Sequence, residues 1–201
     1  AADALNIAPE LVQVCSTGII GQQLELACFQ RGIPKAAQSL VGDGLADVAQ
    51  AIMTTDTFRK IAVRTALIDG KPVKLLGMAK GAGMIMPNMA TMLSFILTDA
   101  KIDHDLLQSV LKKVVAKTFN AITVDGDTST NDTVLLMANG LAEHPPIAEN
   151  RPEALAAFAA ALEELCKELA LLIVRDGEGA TKLVTIRVQG AVTEAQADQA
   201  A

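Results

Sequence analysis

Threonine hydroxyls, one lysine and one glutamate are the candidate reagents of this chain, because each lies in a polar, glycine-rich segment of the kind that builds ligand sites. In Ser16-Thr17-Gly18-Ile19-Ile20-Gly21, glycine lets backbone N–H groups approach a ligand closely, as an oxyanion hole requires. The same hexapeptide also reads as a tight turn. In Met78 to Leu93, Lys80 precedes the glycines instead of following them, so the segment is not a phosphate loop. Thr91 opens an apolar run behind a small residue, Ala90, which suits self-cleavage. The hydroxyl attacks the preceding carbonyl, and the freed α-amine then serves as base for that same hydroxyl. Spacing alone equally allows a plain strand threonine.

Two further segments carry carboxylates. Ile122 to Asp132 sets Asp125-Gly126-Asp127 behind an apolar run, the way aspartyl-phosphate phosphatases present a nucleophile and a magnesium ligand. It half-fits an EF-hand loop, but Thr130 stands where the turn glycine belongs. It also fits a turn whose Asp and Thr side chains cap local backbone groups. Glu178, held between Gly177 and Gly179, could receive a substrate ammonium group, or mark a glycine-terminated helix end. His104, in the first turn of a helix, and His144, before Pro145 and Pro146 in a surface connection, offer little to a metal site. Cys15 reads as a small buried residue at a strand end.

These segments need a frame. Leu11 to Val14 reads as a short strand, Lys182 to Val188 alternates as a half-buried strand, and Thr123 to Asp125 reads as a strand end. Asp43 suits the N-cap of a helix reaching Thr54. Ile61 to Ile68 and Val73 to Met78 flank Asp69-Gly70, a strong hairpin signal, and Met92 to Thr98 is an apolar strand. Asp103 opens a helix with Leu106, Leu107, Val110, Leu111, Val114 and Val115 on one face and Lys112, Lys113 and Lys117 away from it. Val134 to Met137 is a further strand. Pro152 opens a long alanine-rich helix ending near Arg175. No βαβ repeat is visible, and the fold class expected is α+β.

Composition excludes several function classes. The 201 residues carry 17 basic and 23 acidic side chains, a net charge of −6, and five Phe without Trp or Tyr. Nucleic acid demands a basic face and rings for base stacking, so it is not an expected partner. Nor is a membrane: Met84 to Leu97 is broken by Pro87, Asn88 and Thr91, and Leu169 to Val174 is too short to span a bilayer. No signal peptide opens the chain. Cys15, Cys28 and Cys166 lack CxxC spacing, and their odd number fits a reducing, cytoplasmic setting. No metal or resident cofactor is expected. A start at Ala1 and a stop just inside a new helix, Thr193 to Ala201, suggest a fragment of a longer protein.

Five segments in this order are together specific. They are Ser16 to Gly21, Ile52-Met53-Thr54-Thr55-Asp56-Thr57, Lys80 to Leu93, Thr123 to Thr133 and Val174 to Lys182. They closely resemble the glutamate N-acetyltransferase/ornithine acetyltransferase family, a self-processing family of arginine biosynthesis, from near Leu11 to about Gly190. The resemblance implies a layered α/β/β/α arrangement, here incomplete. It implies self-cleavage between Ala90 and Thr91, so that residues 1–90 correspond to the end of the family's alpha chain and residues 91–201 to the start of its beta chain. These form one interwoven domain. Thr91 is then the acetyl-accepting nucleophile, Thr17 and Gly18 form the oxyanion hole, and Thr54, Lys80, Thr91 and Glu178 bind substrate. Charge matching gives Lys80 to a substrate carboxylate and Glu178 to an ammonium group.

The substrates implied are N2-acetylornithine and glutamate, with acetyl-CoA an additional donor in some members. The assembly implied is a heterotetramer of two cleaved pairs. Family members are about twice as long, and an asparagine and a threonine completing their substrate site have no counterpart in this chain. Two other readings stand beside this one. A magnesium-dependent phosphatase would centre on Asp125 and Asp127. A non-catalytic structural fragment would fit the mean hydropathy of +0.34, since surface normally covered by absent parts would drive association.

Overall fold

Asp69 and Gly70 both take left-handed backbone (φ +51° and +73°), the pairing whose twist matches the strands on either side, and the sheet grows from that turn. The structure is a computed structural model that describes residues 1–86 and 92–200; the Ala90–Thr91 junction lies outside the described residues. Strands β1 (Lys60–Ile68) and β2 (Lys71–Lys80) pair antiparallel with Lys60 opposite Ala79. Strand β3 (Leu93–Thr98) pairs antiparallel with β2, and β4 (Thr133–Ala138) pairs parallel with β3. The sheet order is β1-β2-β3-β4. Six helices accompany it among the described residues: α1 (Ala2–Leu5), α2 (Leu26–Gln38), α3 (Leu45–Ala51), α4 (His104–Lys117), α5 (Pro152–Arg175) and α6 (Glu194–Ala200).

The core lies between one face of the sheet and the pair α4 and α5. Asp103 caps α4 by accepting from the Asp105 N–H at 2.9 Å, and Leu107, Val110, Leu111 and Val114 turn inward as the periodicity predicts. Helix α5 buries Phe158, Leu162, Leu165, Leu169 and Ile173 against β1 and β2. Cys166 faces the same interior, where burial pushes its thiol up to about 12. Gly77 sets how closely α5 approaches: a Cβ there would stand 2.7 Å from Leu165 Cδ2 and 2.9 Å from Leu169 Cδ1. Gly77→Val is therefore expected to destabilise the protein by about 1–3 kcal/mol through overpacking, read as a lower urea midpoint. An unchanged midpoint would mean that α5 has room to spare.

Across the opposite face the register lines up Val63, Leu76, Leu97 and Met137, and Val63 and Met137 are about half exposed. Of the four layers implied by the resemblance, the described residues form one sheet and one helix layer, an α+β arrangement. No helix among them is long and apolar enough to cross a membrane.

Several local expectations are overturned. Chain between β3 and β4 passes through α4, so the parallel pair is a βαβ unit that the long polar stretch before Thr133 conceals in the sequence. Leu11 to Val14 follows a single 3₁₀ turn (Pro9–Leu11) and is not a strand; Cys15 beyond it is only half-buried. Lys182 to Val188 likewise forms no strand, and Val184 and Ile186 are exposed. An alternating pattern becomes a strand only with a neighbour to bond, and no described strand pairs with either. Thr123 to Asp125 makes one backbone bond, Val124 N–H to the Ile85 carbonyl at 2.8 Å, and no ladder. Gly44, not Asp43, sits at the N-cap of α3. Helix α2 was not expected, because Gly32 and Pro34 interrupt its pattern. His144 is buried instead of on the surface, since its Nε2 accepts the Lys101 N–H at 3.1 Å.

Candidate substrate site

Strand β2 ends by carrying Lys80 into the interior, where only 2% of it is exposed. Its Nζ donates to Thr54 Oγ1 at 3.0 Å, so two of the expected substrate-binding residues meet. Burial lowers the Lys80 pKa below the usual lysine value; Asp56 opposes that and Lys60 adds to it. Asp56 ties the Thr54 loop to the strand end, because its Oδ2 accepts the Thr54 N–H at 3.2 Å and its Oδ1 the Gly81 N–H at 2.7 Å.

Glu178 arrives from the turn after α5. Its N–H donates to the Ala82 carbonyl at 2.7 Å, and its side chain lies over Gly83, where a Cβ would stand 3.0 Å from the carboxyl carbon. A side chain at 83 would press on the Glu178 carboxylate and shift it by a few tenths of an ångström. Three of the expected site residues therefore gather around residues 80–83. Thr17 is half-buried and Gly18 exposed in unpaired chain. Among the described residues no hydrogen bond joins either to Lys80, Thr54 or Glu178. Ala90 and Thr91 lie outside the described residues.

Two aspartates clamp the backbone on each side of that junction. Asp125 accepts the N–H groups of Met84 at 2.5 Å and Ile85 at 3.0 Å. Burial works against its charge, yet those amides and that of Asp127 outweigh it and hold the carboxyl below the usual range. Both oxygens face backbone donors, so Asp125 is a loop clamp and not the free nucleophile that a phosphatase centred on Asp125 and Asp127 demands. Asp132 accepts the Met92 N–H at 2.8 Å, and the Thr133 N–H closes on the Met92 carbonyl at 2.9 Å. Neither clamp was separated from its polar run by sequence reading; both close on amides about 40 residues away, and only their position next to apolar runs hinted at them.

Burial raises Asp132 to about 6, against the pull of the Met92 amide and the Lys80 charge. The folded protein then keeps this proton at pH values where an unfolded aspartate, ordinarily near 3.9, has released it. Between about pH 4 and 6 the folded state binds more protons, so this group's contribution to stability falls as pH rises through that window. Asp132→Asn is expected to flatten that part of a curve of Tm against pH. A curve identical to wild type would remove Asp132 from the account.

A four-stranded sheet with helices on one face, and a desolvated lysine, a threonine and a glutamate gathered on loops at a strand end, defines an α+β protein with a candidate site for a small charged molecule. The chain belongs to the ArgJ family, whose pattern matches residues 1–201. It is 52% identical over 200 residues to the arginine biosynthesis bifunctional protein ArgJ of Desulfotalea psychrophila, covering 100% of this chain and 51% of that protein. It is 50% identical over 190 residues to the ArgJ of Gluconobacter oxydans, covering 94% of this chain and 45% of the relative. The crystal structure of ArgJ from Bacillus halodurans superposes with a TM-score of 0.50 at 51% identity, over 52% of this chain and 48% of that one. The chain thus spans about half the length of the curated relatives it matches.

Proposed function

We propose that this chain is part of an acetyltransferase that moves acetyl from N2-acetylornithine to glutamate through an ester on Thr91, after self-cleavage between Ala90 and Thr91. The observation that carries the reading is the meeting of Lys80 and Thr54, with Glu178 beside them, around the loop that leads toward Thr91. A cation and a carboxylate at one site match an amino-acid zwitterion. The names of the ArgJ relatives support the pathway.

The chemistry follows from one hydroxyl used twice. In cleavage, Thr91 Oγ attacks the Ala90 carbonyl carbon, the C–N bond breaks, and the hydroxyl proton passes to the Thr91 nitrogen. Water then hydrolyses the resulting ester to an Ala90 carboxylate and a free Thr91. In transfer, the Thr91 amine takes the Oγ proton as Oγ attacks the acetyl carbonyl. The amide C–N bond of acetylornithine breaks, the proton goes to the departing ornithine amine, and an acetyl–Thr91 ester remains. The glutamate α-amine attacks that ester, the acyl C–Oγ bond breaks, and the amine's proton passes through the Thr91 amine to Oγ, releasing N-acetylglutamate and restoring the hydroxyl. Thr17 and Gly18 supply the oxyanion donors in this scheme, and Thr17→Ala is expected to lower transfer by about 10²–10³-fold with the fold intact. An unaltered rate would take Thr17 out of the oxyanion hole.

Cleavage cuts the chain between its two central strands, and the pieces have reason to stay together. Strand β2 is hydrogen-bonded to β3 from Leu75–Thr98 to Lys80–Leu93, and α5 packs on β1 and β2. A heterotetramer of two such pairs, in the cytoplasm, completes the reading, with acetyl-CoA a second donor to be tried. The test is acetyl labelling of the protein made from its complete reading frame. Label from acetylornithine is expected on a peptide beginning at Thr91, and its absence there sinks the mechanism.

A further inference from the structure

Next to the Thr54–Lys80 contact lies a second cluster, built on a fully buried lysine. Lys60, the first residue of β1, has no exposed surface, and its Nζ reaches Asp56 Oδ1 at 2.6 Å and Asp176 Oδ2 at 2.5 Å. The Phe58 ring lies 5.0 Å from the same nitrogen. Asp176 also accepts from the Thr57 N–H at 2.9 Å and from the Thr57 hydroxyl. Burial works against the charge on both carboxyls. At Asp56 the Gly81 amide and Lys60 outweigh it, and at Asp176 Lys60 and Thr57 do, so both stay below the usual carboxylate range. With Lys80 counted, the buried charges of Lys60, Lys80, Asp56 and Asp176 sum to zero.

Each of the two carboxylates lies beside a substrate-site residue in the chain. Asp56 holds the amides of Thr54 and Gly81, next to Lys80. Asp176 ends α5 two residues before Glu178. Lys60 is the only atom bridge between those two carboxylates among the hydrogen bonds of the described residues. We infer that Lys60, with Asp56 and Asp176, is a positioning group that sets the spacing of Thr54, Lys80 and Glu178 around the substrate. This rests on the acetyltransferase reading above. A buried ion pair contributes little net stability compared with apolar packing, whereas it fixes geometry strictly, because any shift leaves a charge unpaired in a dry interior.

The split between the two reactions makes this testable. Self-cleavage needs Thr91 and its oxyanion donors, whereas transfer also needs the substrate triad in register. Asp176→Asn is isosteric and removes the charge that faces Lys60; Thr57→Val removes the hydroxyl that holds Asp176. Each is made in the protein from its complete reading frame. Each is expected to fold and cleave, Asp176→Asn with a lower urea midpoint because it leaves Lys60 one carboxylate short, but to raise KM for acetylornithine and glutamate about tenfold or more, with kcat within about threefold. The double variant is expected to add little to either single one, since both act on one group. Wild-type KM in both folded variants overturns the inference. So does failure of both to fold or cleave, which makes the cluster a determinant of the fold alone. The wild-type control separates the two proposals: no transfer by wild type defeats the acetyltransferase reading, whereas transfer with unmoved KM defeats only the positioning role.

Discussion

Thr91→Ala is expected to leave the chain whole and without acetyl transfer. The attacking oxygen is the same in both reactions, so its removal takes both to the background rate. An uncleaved Ala90–Thr91 bond also keeps the Thr91 nitrogen as an amide, which has no basicity to activate a hydroxyl. Cleavage converts it into an α-amine with a reference pKa of roughly 7.7–8.0, so a useful fraction is neutral near physiological pH. Thr91→Ser keeps a hydroxyl and retains part of both activities. Intact mass reads the first step directly: wild type is expected to give two species that together equal the chain plus one water, and the alanine variant one. A Thr91→Ala protein that still splits after residue 90, or still transfers acetyl at the wild-type rate, refutes the N-terminal-nucleophile mechanism.

Lys80→Met is expected to cleave normally and to lose about 10²–10³-fold in kcat/KM for acetylornithine, the effect of truncating one partner of a buried, hydrogen-bonded charge pair. The nitrogen is desolvated by its surroundings and bonded to the Thr54 hydroxyl, so a substrate carboxylate meets it without competing water. The substitution keeps an unbranched side chain one atom shorter and removes the charge together with the hydrogen bond to Thr54. An acetylated diamine that lacks the carboxylate provides the control: it inhibits wild type and Lys80→Met equally, because it has nothing to offer Lys80. If Lys80→Met retains kcat/KM within about threefold, the substrate carboxylate is held elsewhere and the charge matching is wrong.

What the amino-acid sequence determined by itself is local. Asp69-Gly70 demands a left-handed pair and so dictates the β1–β2 hairpin. The periodicity after Asp103 and after Pro152 dictates α4 and α5, since residues three and four apart must share a face. The polar segments around Lys80 and Glu178 were legible as site loops because glycine and small polar residues interrupt otherwise apolar elements, whereas Thr54 was pointed to only by the family resemblance. The tertiary structure alone decided what pairs with what. Leu11 to Val14 and Lys182 to Val188 alternate as well as β1 does, yet a strand exists only when a neighbour takes its backbone bonds, and pattern carries no information about that neighbour. The parallel β3–β4 pairing spans a helix and a polar stretch, so nothing in either strand announces it. The cluster of Asp56, Lys60 and Asp176 is the clearest case. Asp56 and Lys60 look like surface residues four apart, and Asp176 looks like a helix end. They become a buried triad only because α5 packs across β1 and brings Asp176 to a lysine 116 residues earlier, where the three charges satisfy one another away from water.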